Sequence, residues 1–355
     1  MWRRVQSGEG NKIMTGVRNM RDGLCRLALQ VLCVGVLVLP GVCAAADLYV
    51  GNFFGPGNED VLRYNGSTGT FVSTFVPTGS GGLSFPLGGA FGADGDFYVS
   101  NSDTDSVLRY NGTTGAFLNT FANPVEDAAG LAFGPDHNLY AANSTSPGGV
   151  TKINGTTGAI ITQLTGGGLS DPEGLVFGPD GNLYVANGDG DDVLRFNGTT
   201  GAFIDAFVSA GSGGLTSARG VAFGPDGDLY VTSFGTSEVL RYDGATGAFL
   251  NAFISAGSGG LNLARGLVFG PDGNLYVGSF GTGDILRYNG TTGGFIDDFV
   301  AAGSGGLGGP TFLLFHESAS SAVPEPSMFG LGGLGLALLA AWKRKSIAAT
   351  LRMLP

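Results

Sequence analysis

Residues 174–187 read GLVFGPDGNLYVAN, and the pattern returns as GVAFGPDGDLYVTS at 220–233 and as GLVFGPDGNLYVGS at 266–279. Each copy is an apolar run, a Gly-Pro-Asp-Gly turn and a second apolar run. Proline at the second place and glycine at the fourth suit a type I turn, so each copy predicts a hairpin. Working outward from the first copy, Gly174 to Phe177 is a first strand, Asn182 to Asn187 a second and Val193 to Phe196 a third. Asn197-Gly198-Thr199-Thr200-Gly201 then turns the chain, and Ala202 to Val208 is a fourth.

The tyrosine of the second strand falls at 49, 98, 140, 184, 230 and 276, at spacings of 49, 42, 44, 46 and 46. Four short strands in a unit of about 45 residues is the pattern of a propeller blade. The Leu-Tyr-Val core of the second strand fits burial on both faces, as when blades stack. The first unit opens at Asp47-Leu48-Tyr49-Val50 with no first strand before it, and Thr311-Phe312-Leu313-Leu314-Phe315 matches a first strand with no successor. The two ends complement each other. The expected fold is therefore all-β: a six-bladed β-propeller of four-stranded blades, spanning 47–318 and closed by a C-terminal strand that completes blade 1. Composition agrees. The chain holds 66 glycines and 15 prolines in 355 residues, yet 43% of residues are hydrophobic and only 13% charged. Disordered chains show the opposite balance.

The ends read as processing segments. Residues 1–26 carry six bases, Leu27 to Val42 is a nearly uninterrupted apolar run, and Ala44-Ala45-Ala46 is a small-residue cleavage site, so 1–46 is expected to be a signal peptide. All three cysteines, Cys25, Cys33 and Cys43, lie in it, which leaves the mature chain no disulfide, thiolate metal site or cysteine nucleophile. At the other end a linker at 319–323 leads into Pro324-Glu325-Pro326, an apolar stretch from Met328 to Trp342 and Lys343-Arg344-Lys345, with a tail at 346–355. Fifteen apolar or glycine residues are short for a membrane span, which needs about 20. This order at 324–345 resembles the PEP-CTERM sorting signal of Gram-negative, exopolysaccharide-producing bacteria. That resemblance implies export through the inner membrane, transient anchoring by the short helix, processing by an exosortase-type protease, and delivery to the cell surface or extracellular matrix.

Eight of the 18 bases and 26 of the 29 acids lie between 47 and 317, a net charge of −18 for that segment. Nucleic acid is excluded as a partner, because its binding needs a basic footprint. The Gly-Leu-x-Phe-Gly-Pro-Asp-Gly-Asn-Leu-Tyr-Val units resemble NHL-type repeats. They are similar to those of six-bladed propellers of the gluconolactonase (SMP-30) and streptogramin-lyase superfamily. The resemblance implies the fold and leaves function open, since such propellers include lyases, lactonases and binding modules.

Function is sought where the repeat breaks. Just ahead of the first-strand glycine stand Leu87, Ala129, Glu173, Arg219 and Arg265, with Thr311 at the same place before Phe312, so three adjacent blades place Glu, Arg and Arg on one rim of the channel. Asn143 and Asn187, ending second strands, fall on the same face. Six of the eight bases occupy one repeated place in the third strand (Arg63, Arg109, Lys152, Arg195, Arg241, Arg287) and read as architecture; Arg219 and Arg265 alone depart from it. Guanidinium binds carboxylate bidentately, so the pair reads as a site for an anionic ligand, such as an acidic extracellular polysaccharide. The plain alternative is that the pair neutralises Glu173. Asn187-Gly-Asp189-Gly-Asp191 and Asn101-Ser-Asp103-Thr-Asp105 alternate oxygen side chains that can converge on one Ca²⁺; solvated acidic turns are the alternative. Catalysis has little support. His137 falls in a turn on the opposite face and His316 ends the closing strand, and nothing pairs a serine with a base. The reading is a non-catalytic binding or structural module, with a metal-dependent lactonase or lyase, holding its metal through Glu173, Asn143 and Asn187, as the alternative that the resemblance implies.

Overall fold

The computed structural model describes residues 46–53 and 59–317. The linker, the sorting signal with its apolar helix, the tail and all of the expected signal peptide but Ala46, the first residue of a strand, lie outside the described residues. Among those residues, 24 strands form six antiparallel sheets of four. Blade 4 is representative: Pro172–Phe177, Leu183–Asn187, Asp192–Phe196 and Phe203–Val208, in that spatial order. The expected strands are thus found, with ends shifted by one or two residues. No helix among the described residues is long and apolar enough to cross a membrane.

The Gly-Pro-Asp-Gly turn works through its aspartate. In blade 4 the Gly181 N–H donates to the Gly178 carbonyl at 2.9 Å and Gly181 takes φ +77°, a conformation that favours glycine. Asp180 accepts from the Asn182 N–H at 3.0 Å and, through its other oxygen, from the Tyr184 hydroxyl at 3.0 Å. The turn therefore fixes the repeated tyrosine. Its ring is buried and meets Phe207 of its own blade at 4.9 Å and Phe223 of the next blade at 5.0 Å, both edge-on. Tyr98, Tyr230 and Tyr276 repeat the arrangement. Each hydrophobic cluster accordingly spans at least two neighbouring blades. The blades cohere only as a ring.

The six repeated bases are architectural, as expected. Arg195 pairs with Asp205 at 2.6 Å and Lys152 with Asp136 at 2.8 Å, and each lies over its blade's tyrosine ring, at 6.0 and 5.3 Å. The Asn-Gly-Thr triplets are turns: Asn197 Oδ1 accepts from the Thr199 and Thr200 N–H groups at 3.1 and 2.8 Å. Replacing Tyr184 by Phe keeps the ring and removes one buried hydrogen bond. Denaturant unfolding is expected to show a loss of about 1 kcal/mol; an unchanged midpoint would leave the Asp180 contact without energetic weight.

Closure occurs as the ends of the repeat predicted. Pro310–Glu317 pairs antiparallel with Ala46–Phe53, with Leu48 opposite Phe315 and Val50 opposite Leu313. The inner strands approach at backbone distance. A Cβ on Gly174 or on Gly220 would stand 2.4 Å from the carbonyl oxygen of Arg219 or of Arg265. Only glycine admits that contact.

Candidate functional site at the channel mouth

In blades 3 to 6 the first strand slips register against the second near its start. In blade 4 the slip falls between Pro172 and Leu175, in blade 5 between Ala218 and Val221, and in blade 6 between Ala264 and Leu267. Glu173, Arg219 and Arg265 all sit in these bulges, and a bulge re-aims its side chain. Here the bulges bring the three together. Arg219 Nη1 donates to Glu173 Oε1 and stands 3.1 Å from Asp171 Oδ2. Arg265 Nη2 donates to the other oxygen of Glu173 at 3.3 Å. Ser144 Oγ donates to Asp171 at 2.5 Å and to Glu173 at 3.3 Å. Glu173 is only 7% exposed and Arg265 9%.

Above this trio opens a cavity of about 310 Å³, lined also by Phe85, Asp127, Asp171, Ser144 and Phe234. Below it the channel encloses about 190 Å³ between the inner strands of all six blades. Phe234 carries the Arg219 guanidinium at 5.4 Å and Phe280 carries that of Arg265 at 5.2 Å. Phe53 and Phe85 meet with ring centroids 4.2 Å apart and planes tilted by 53°. The mouth is thus carboxylate-rich on the side of blades 3 and 4 and aromatic on the other, with two guanidiniums along the boundary.

The charge balance favours the plain alternative to the expected anion site, in which the two arginines neutralise Glu173. Glu173 occupies a face of both arginines, and Asp127, Asp171 and Glu173 against Arg219 and Arg265 leave the mouth at −1. Burial pushes the Asp127 carboxyl above its ordinary range, the Ser102 hydroxyl opposes that, and the charges of Glu173, Asp171 and Asp105 add to it. No base pairs with Asp127 among the described residues.

Asn143 and Asn187 do not line the mouth cavity. Both are 1% exposed. Asn143 Nδ2 donates to the Glu126 carbonyl at 2.8 Å, and Asn187 Oδ1 accepts from the Ser170 N–H at 2.7 Å. They brace the connectors between blades. The two Asn-x-Asp-x-Asp loops do the same, which favours the alternative to the Ca²⁺ reading, acidic turns held by the connectors. Asp189 accepts from the Ser170 hydroxyl at 3.1 Å and Asp191 from the Ser217 N–H at 2.6 Å. In blade 2, Asn101 accepts from the Ser84 N–H at 2.6 Å, Asp103 from the Ser84 hydroxyl at 2.7 Å and Asp105 from the Asp127 N–H at 2.8 Å. Each oxygen turns to its own partner instead of a common point. Among the described residues no three Asp, Glu, His or Cys side chains group to hold a metal. Nor do Glu173, Asn143 and Asn187 fit the divalent ion of lactonase-like propellers, because two guanidiniums take the Glu173 oxygens, the Thr151 hydroxyl takes Asn143 Oδ1 and the Ser170 N–H takes Asn187 Oδ1. His137 lies in a turn at the far end of the blades, and His316 stacks on Phe91 at 3.6 Å, its pKa lowered by burial.

Sequence reading missed Asp127 and Asp171. They stand two residues ahead of the rim position, where Phe85, Ser217 and Leu263 are the counterparts, and all five take φ between +43° and +53°. The left-handed backbone turns these side chains to the mouth, and asparagine and aspartate tolerate it best.

Comparison with known proteins agrees with this architecture. Residues 322–345 match the model of the PEP-CTERM protein-sorting motif. No curated protein matches the chain. Among solved structures, a protein of unknown function from Bacteroides caccae is similar at 15% identity and TM-score 0.59, over 76% of this chain and 98% of that one. A chain of a nidogen/laminin complex gives 17% identity and TM-score 0.59, over 76% and 97%. Catalytically inactive virginiamycin B lyase from Staphylococcus aureus, solved with quinupristin, gives 13% identity and TM-score 0.54, over 78% and 94%. At these identities the likeness is one of fold. The chain is an exported six-bladed propeller protein carrying a surface-sorting motif that is processed by an exosortase-type system.

Proposed function

We propose that this protein is a non-catalytic binding module whose channel mouth holds a hydroxyl-rich ligand, a unit of neutral extracellular polysaccharide. The observation that supports it most is Arg265. Its guanidinium is nine-tenths buried, carries five N–H donors, and engages one protein acceptor among the described residues, Glu173. Arg265 lines both the mouth cavity and the channel below it. Across the mouth Asp127 and Asp171 present acceptors, and Phe234 and Phe85 supply apolar lining. Hydroxyl groups donate and accept at once, so a sugar ring answers both sides. A polyanion meets a mouth of net −1 on a domain of −18. The mouth lining holds no histidine or cysteine among its residues, which supports the binding reading over a lyase or lactonase.

Calorimetric titration with neutral and acidic oligosaccharides tests the reading. Charge-assisted hydrogen bonds contribute roughly 1.5–3 kcal/mol, so Arg265→Lys is expected to weaken binding of a neutral oligosaccharide about ten- to a hundredfold, with little dependence on salt. Arg241→Gln, changed at a repeated architectural base, is expected to leave affinity intact. Equal affinity of wild type and Arg265→Lys would remove the mouth as the site. Affinity that collapses with added salt would return the ligand to the anionic class.

A further inference from the structure

Five hairpin turns join first and second strands, and they read Gly92-Ala93-Asp94-Gly95, Gly134-Pro135-Asp136-His137, then Gly-Pro-Asp-Gly at 178–181, 224–227 and 270–273. Two positions break the pattern: Ala93 stands where the others have proline, and His137 where the others have glycine. The two breaks belong to consecutive blades and meet in one groove. A cavity of about 380 Å³ there is lined by Ala93 and Asp94 of one turn, His137 of the next, and Arg109, Phe133 and Thr156 between them. In the repeat, the next groove carries Pro135 and Gly181 at the places of Ala93 and His137. Ala93 and the His137 imidazole, the two departures from the repeat, both line the cavity.

His137 is held against local preference. It takes φ +62°, where Gly95, Gly181, Gly227 and Gly273 take +77° to +88°, and a residue with a Cβ is strained there. Local rules broken together at one place mark functional sites more than scaffold. The groove's chemistry is mixed. Arg109 directs Nε to Asp96 at 2.8 Å and Nη2 to Asp94 at 2.7 Å, which leaves Nη1 uncommitted. His137 and Thr156 are exposed beside it.

We propose that this groove is a second saccharide subsite, taking one neutral sugar ring against His137 and Phe133 with hydrogen bonds to Asp94, Arg109 and Thr156. The turns that build it lie at the end of the inner strands opposite the mouth bulges. The two subsites therefore face opposite ways, and one domain bound at both would tie two polysaccharide chains together. The groove itself does not depend on the mouth being a site.

The chain has two histidines, so imidazole NMR signals report the groove directly. Neutral oligosaccharides of glucose, galactose and mannose are titrated into the protein, with His316 in the closing strand as internal control. Saturable movement of the His137 signals alone is expected. His137→Gly and Ala93→Pro restore the repeat, so each is expected to keep or raise the unfolding midpoint while weakening binding at the groove at least tenfold. If no sugar of the panel moves His137, or if both variants bind as wild type does, the subsite is refuted, whatever Arg265→Lys shows at the mouth. A loss of binding that comes with a lowered midpoint in both variants would equally overturn it, by making the two residues structural.

Discussion

Removal of the closing strand, residues 310–317, is expected to abolish the monomeric folded domain. The strand supplies the inner edge of blade 1 and lines the channel with Thr311, Phe312, Leu313 and Leu314. Phe312 and Leu313 are each 8% exposed, and Thr311 Oγ1 donates to the Pro86 carbonyl of the connector into blade 2 at 2.6 Å. Burying one large apolar side chain contributes about 1.5–3 kcal/mol. Several lost at once approach the roughly 5–15 kcal/mol by which a domain is stable at all. The deletion also uncovers the eight-residue strand Ala46–Phe53, and unpaired edges invite aggregation. Size-exclusion chromatography and denaturant unfolding check this. A truncated chain that stays monomeric with the wild-type midpoint would show that the ring does not need closing. The single change Phe312→Ala separates packing from pairing, with an expected loss of about 3–5 kcal/mol.

The fold was legible because each blade writes the same instructions. Pro179 and Gly181 specify the turn, Tyr184 and Phe177 specify the interface, and repetition at near-constant spacing makes the count readable. Even the closure was written in the chain, as a first strand left over at 311–315 beside a second strand lacking one at 47–50. The mouth was legible only in part. Glu173, Arg219 and Arg265 stand out as departures from the repeat, but their meeting depends on bulges, which no residue type announces. Asp127 and Asp171 were overlooked because a left-handed backbone two residues upstream aims them at the cavity. The Asn-x-Asp-x-Asp loops misled in the opposite sense. Their oxygens alternate as ligands would, yet the amide N–H groups they satisfy, those of Ser84, Asp127 and Ser217, come from connectors far away in sequence. Spacing along the chain carries no information about which distant donor will arrive.

The same argument fixes what Glu173 does. Changing Glu173 to Gln keeps the shape and removes the charge between two guanidiniums. Breaking a buried ion pair by removing one partner costs about 3–5 kcal/mol. The lower end is expected here, because Arg219 keeps Asp171 at 3.1 Å and is itself one-fifth exposed. The variant is expected to gain what the wild type lacks. With the carboxylate gone, Arg219 and Arg265 together form the anion site that the sequence first suggested. Phosphate should then raise the unfolding midpoint of Glu173→Gln, since a ligand that binds only the folded state stabilises it in proportion to its saturation. The wild-type midpoint should respond no more to phosphate than to chloride at matched ionic strength, which controls for screening of the domain's −18. If phosphate stabilises both proteins alike, the arginines are already free in the wild type and the ligand is anionic. If the variant is as stable as wild type and indifferent to phosphate, Glu173 does not hold the pair, and the mouth's charge balance must be redrawn around Asp127 and Asp171.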